Sequence, residues 1–160
     1  MSEPLISARG LTKTYGDFVA VDGIDFDVAK GESFGLLGPN GAGKSTTMRI
    51  IGATSVRTSG TLTILGKDPE VNGPQIRAHL GVVPQQDNLD SELTVSENIF
   101  IYGRYFGLSS SFINKKIPEL LEFAQLEEKK DTKVEALSGG MKRRLTIARS
   151  LVSEPDILML

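Results

Sequence analysis

Gly38-Pro39-Asn40-Gly41-Ala42-Gly43-Lys44-Ser45 fits the spacing G-x-x-x-x-G-K-[ST]. It lies between a short apolar run, residues 33–37, and a segment that reads as a helix, residues 43–51. The pattern carries chemistry because each residue type has a task. Glycines let successive backbone N–H groups converge on phosphate oxygens, and the following helix adds its positive N-terminal end. Lys44 can reach a terminal phosphate and the Ser45 hydroxyl can ligate Mg2+; Thr46 follows on the same turn. A glycine-rich turn matching by chance is the bland alternative, and the strand-then-helix context stands against it.

Outward from this loop, the N-terminal third reads as strands over 5–11, over 18–28 broken at Asp22-Gly23, and over 33–37. Residues 61–65 read as a strand with a turn at Gly66, and 80–83 as a strand ended by Pro84. Thr94-Val95-Ser96-Glu97 has the spacing of a capping box, so a helix is expected from there, carrying Ile99, Ile101, Tyr102 and Tyr105. Ile113, Ile117, Leu120, Leu121 and Ala124 fall at helical spacing, with Pro118 expected to kink that helix or mark a fresh start. A basic helix is expected over 141–152, and residues 156–160 read as a buried parallel strand.

The 160 residues are enough for one domain with one core, and no repeat or linker divides them. A formal net charge of -2 argues against a protein built to neutralise nucleic-acid phosphates. With no cysteine there is no disulfide framework, thiolate metal site or thiol nucleophile. The opening Met1-Ser2-Glu3-Pro4 lacks the pattern of a signal peptide, and no apolar run approaches the ~20 residues of a membrane span. A membrane role is expected to come through a partner.

Ser138-Gly139-Gly140 before the basic helix is a second candidate anion site, with Ser138 as N-cap; taken alone it reads as an ordinary helix start. Tyr15 reads alone as a strand-end aromatic and Gln85 as a solvated loop residue. The run Lys142, Arg143 and Arg144 reads as a solvated face rather than a nucleic-acid site, and His79 as structural or exposed.

Taken together, the loop at 38–45, Gln85 after a strand, and Leu137-Ser138-Gly139-Gly140 about a hundred positions after the loop resemble the ATP-binding cassette family over nearly the whole chain. The resemblance implies an α/β fold: a mainly parallel P-loop core, an antiparallel N-terminal β portion and an inserted helical subdomain, residues 87–137, in one partial domain over 1–160. It further implies that Tyr15 stacks on adenine, that Gln85 contacts the metal and the attacking water near a transmembrane permease, and that Leu137, Ser138, Gly139 and Gly140 reach the nucleotide held by a second copy. ATP and Mg2+ would be the cofactors. The protein would sit peripherally on the cytoplasmic face of the membrane. The stretch 81–89, the run 102–107 and the form Leu137-Ser138-Gly139-Gly140-Met141 resemble ATPases of nodulation-factor and daunorubicin-type exporters, whose permeases are separate chains. Met141 stands where many members have glutamine.

In the family, the strand begun by residues 156–160 continues into an aspartate that helps hold Mg2+ and a glutamate that polarises water; neither stands in this sequence. The sequence is therefore expected to be part of a longer chain. A ribosome-acting or DNA-repair relative is the first alternative, against which the compact spacing from Lys44 to Ser138 speaks. A nucleotide-binding regulatory module without hydrolysis is the second.

Overall fold

Apolar residues alternate with polar ones from Ile6 onward, and a strand with one buried face must pair where that face meets a core. The structure, a computed structural model, describes residues 3–86 and 88–160. Met1 and Ser2 of the N-terminal stretch, and Asp87, the expected start of the helical subdomain, lie outside the described residues. The chain divides into two units, residues 1–77 and 78–160.

In the first unit, strands β1 (Ile6–Tyr15), β2 (Phe18–Val28) and β3 (Ser59–Ile64) form an antiparallel sheet in the order β2-β1-β3. Ile6, Ala8, Leu11, Val21, Leu62 and Ile64 form its buried face. β2 is not broken at Asp22-Gly23. It runs through, with register irregularities against β1 that absorb the extra residues as bulges. Helix α1 (Lys44–Ile51) buries Thr47, Ile50 and Ile51, and helix α2 (Pro69–Ala78), which the sequence reading did not foresee, buries Ile76. Asp68 begins α2 by accepting a hydrogen bond from the Glu70 N–H at 2.9 Å.

Residues 33–37 depart from expectation. They form no strand, and Leu37 is 95 % exposed. An apolar run becomes a buried strand only with neighbours to pair with, and the sheet of this unit is an antiparallel one in which the run has no place. Phe34 is held instead by its ring, stacked on Phe26 at 5.4 Å.

In the second unit, β4 (Leu80–Val82) and β5 (Ile157–Met159) pair in parallel, Leu80 with Ile157 through Val82 with Met159. Among the described residues this is the only parallel ladder, so the mainly parallel core is represented by that pair alone. Within β5 only Met159 is buried, as befits a strand with a single neighbour.

Helices α3 (Val95–Tyr105), α4 (Ser110–Ala124) and α5 (Gly139–Ser150) bury Val95, Ile99, Ile113, Leu120, Leu121, Leu145 and Ala148 in one cluster. Pro118 marks no fresh start: one helix runs through it, because Ile113 on one side and Leu120, Leu121 and Ala124 on the other are all held in that cluster. Thr94 and Glu97 close the capping box in both directions, at 3.2 and 2.8 Å.

Candidate functional site

Helix α1 starts in a manner unlike the other capped helices. Its N-cap is Gly43, at φ 80°, and no side chain caps it. Thr94, Ser109 and Ser138 each cap their own helix by accepting a backbone N–H. Gly43 is required twice over: its φ lies in the left-handed region, and an added Cβ would overlap the Ala20 carbonyl oxygen of β2. The first bond of the helix runs from the Thr47 N–H to the Gly43 carbonyl at 2.8 Å. The N–H groups of Lys44, Ser45 and Thr46 precede it and point out of the helix start. Three consecutive donors, a helix dipole and a cation on one turn are the elements from which an anion site is built.

The Lys44 ammonium donates to the carbonyls of Gly38 and Pro39, both at 2.7 Å, which holds it over residues 38–43. The loop is braced by the Ala42 N–H donating to Pro39 at 3.2 Å. Asn40 and Gly41 lie exposed at its crest. Ser45 is exposed on the first turn, and its hydroxyl is the hard oxygen type that Mg2+ accepts. Among the described residues no group of three His, Cys, Asp or Glu could hold a metal ion.

Tyr15 ends β1 and pairs with Phe18 across the turn at Gly16-Asp17. It is 48 % exposed, with the Lys13 ammonium over its ring at 4.9 Å. Phe18 lies two residues before Ala20, the residue against which Gly43 rests, roughly 7 Å along the strand. Strand β2 therefore links Tyr15 to the loop at 38–45.

In the second unit, Gln85 lies exposed in the bend after β4. It lines a cleft of about 200 Å³ with Pro84, Gln86, Gly139, Lys142, Arg143 and Thr146, so the structure brings Gln85 and Gly139 together. Ser138 accepts the Met141 N–H at 3.3 Å and remains exposed, as do Gly139 and Gly140, while Leu137 is buried. A Cβ added at Gly139 or Gly140 would meet nothing within 4 Å, so the fold of this chain does not itself demand glycine there.

The basic run is not simply a solvated face. Arg143 donates to the Pro84 carbonyl at 2.7 Å, and Arg144 donates to the Ala124 carbonyl at 2.8 Å, satisfying the end of α4. Sequence reasoning also passed over Arg149, which is 6 % exposed, donates to Asn88 and lies over the Tyr102 ring at 4.6 Å. Burial pushes the Tyr102 phenol above its usual range. An arginine among apolar residues late in a helix is the one signal that could have found it. His79 is half exposed and paired with Asp156 at 2.7 Å.

The ABC transporter family profile matches residues 21–160. The Nod factor export ATP-binding protein I of Ralstonia nicotianae is 53 % identical over 159 residues, which cover 99 % of this chain and 50 % of that protein. Among solved structures, cbiO1 from Clostridium perfringens, part of the ABC transporter complex cbiONQ, aligns at TM-score 0.88 and 28 % identity, covering 98 % of this chain and 64 % of that one. The ATP-binding cassette MJ0796, in a dimeric post-hydrolysis state bound to ADP and Pi, aligns at TM-score 0.81 and 31 % identity, covering 96 % and 72 %. The chain spans about half the length of the curated relatives it matches. Among the described residues no helix is long and apolar enough to cross a membrane.

Proposed function

The chain belongs to the ABC transporter family, and on that premise we propose that it is the nucleotide-binding part of an exporter's ATPase, driving a substrate of drug, lipid or oligosaccharide class through a separate membrane permease. The observation that carries this is the start of α1: a left-handed glycine N-cap, no side-chain cap, and Lys44 at the first helical position. Residues 38–46 take the phosphates of ATP, and Tyr15 stacks on the adenine. Ser45 and Gln85 are the residues that would hold Mg2+, which would supply charge neutralisation to the phosphates. Gln85 also orients the attacking water. Residues 87–137 serve as the helical subdomain within a single domain, and the protein works at the cytoplasmic face of the membrane.

A second copy completes the site. Gly139 and Gly140 occupy the first turn of α5 in open space, although glycine within a helix costs roughly 1 kcal/mol against alanine. Close approach of another molecule gives these two positions a reason to lack side chains. Ser138 accepts one bond from the helix and keeps its hydroxyl proton to donate to a phosphate. The export direction draws on the relatives named for Nod factor export.

The test is to purify the native gene product from its own membranes and measure ATP turnover with and without Lys44→Ala. Turnover that disappears in the variant, together with a copurifying membrane permease, is expected. Copurifying ribosomes, or ATP binding without turnover in the native product, would replace this reading with one of the two alternatives.

A further inference from the structure

The loop that carries Gln85 is fastened at both ends by the same helix. At its near end the Pro84 carbonyl accepts from Arg143 at 2.7 Å; proline has no N–H, so this is the one backbone group it can offer. At its far end Asn88 receives Arg149, through its carbonyl at 3.4 Å and through its side-chain oxygen. Both arginines belong to α5, the helix that Ser138 caps. We infer that Arg143 and Arg149 are positioning residues, a two-point clamp that ties the Gln85 loop to the helix bearing Ser138, Gly139 and Gly140 so that these move as one body.

The chemistry of each point supports a fixed geometry. Arg149 is buried, and a buried guanidinium is tolerated only where it is paired and hydrogen-bonded; the Tyr102 ring and Asn88 leave it one place to sit. Arg143 is exposed, yet it makes a short charge-assisted bond to a carbonyl 59 positions away in sequence instead of extending into water. β4 anchors the loop from below, since the Val83 N–H donates to Met159 at 2.8 Å. Gln85 and Gln86 thus stand exposed between two held points, facing Gly139 across the shared cleft. Neither arginine touches a reacting atom. They act through Gln85, and a misplacement of such a side chain costs rate rather than substrate affinity.

This inference rests on the ATPase reading above, and its test separates the two. Steady-state kcat and KM for ATP are measured on the native gene product, with Lys44→Ala as the control. Arg143→Ala, at an exposed position, is expected to lower kcat by about tenfold with KM changed by less than about twofold, and Arg143→Lys to restore most of the rate. Arg149→Lys keeps the buried charge but gives up the forked contact to Asn88, and the same fall in kcat is expected. In a Gln85→Ala background neither substitution should lower kcat further, because the residue they position is gone. An unchanged kcat in Arg143→Ala, or a fall of equal size in the Gln85→Ala background, overturns the clamp while leaving the ATPase reading intact. Absence of any Lys44-dependent turnover in the unmodified protein overturns both.

Discussion

Gly43 rests against the carbonyl of Ala20 so closely that no Cβ fits between them, and it does so at φ 80°. The contact joins the loop at 38–45 to strand β2, and it distinguishes Gly43 from Gly41, which has a similar φ of 86° but open space around it. Gly41→Ala therefore carries only the cost of left-handed backbone, about 1–2 kcal/mol. Gly43→Ala carries that cost and the overlap with Ala20. Urea unfolding of the two variants is expected to show the larger loss at Gly43; equal losses would mean that the contact with β2 does not constrain the loop.

The Arg57 guanidinium binds the Asp68 carboxylate through both oxygens, at 3.0 and 2.7 Å, and holds it below the usual carboxylate range. A carboxyl whose folded pKa is depressed adds stability that is fully present above its unfolded value, near 4, and is lost as pH falls through the folded value. The stability gap between the parent and Asp68→Asn is expected to stay constant from about pH 7 to pH 5 and to narrow only below about pH 4. Urea midpoints at pH 7, 5 and 3 check this. A gap that widens on acidification would reverse the sign.

The capping box of α3 is local and fully formed, so Thr94→Ala should cost about 1 kcal/mol, while Thr94→Ser should cost little. The Glu97 carboxyl is held below its ordinary range chiefly by the Thr94 backbone N–H. Denaturant midpoints of the two variants measure the cap; indistinguishable losses would show that the hydroxyl does not cap the helix.

Gly103 marks the crossing of α3 with α4. A Cβ there would stand 2.8 Å from the Ile113 Cγ1, and Ile113 is itself fully buried. Gly103→Ala gains about 1 kcal/mol in helix propensity but overpacks the crossing, which costs roughly 1–3 kcal/mol. A net loss is expected in thermal unfolding. A stabilised single variant would contradict this packing.

What could be read from the sequence was local. The loop at 38–45, the Thr94-Glu97 box and the Ser138 cap each lie within a few residues, and their chemistry survives any packing. Residues 33–37 misled because an apolar run states what a segment could bury and not whether a partner strand lies beside it. Helix α2 went unforeseen because it holds Gly73 and Pro74, residues that disfavour a helix interior, and the helix does depart from regular geometry at Asn72. The contacts of Arg143 and Arg149 span 59 and 61 positions, and no local pattern announces them. From the run Lys142, Arg143 and Arg144 only the charges could be read, not the carbonyls that receive them.

The most direct test of the phosphate loop is the equilibrium affinity of the 160-residue chain for a fluorescent ATP analogue with Mg2+, compared with that of Lys44→Ala. Saturable binding, competed by ATP and weakened at least about tenfold in the variant, is expected if residues 38–46 take the phosphates as proposed. Equal affinities in the two chains would mean that residues 38–46 are not where the nucleotide binds.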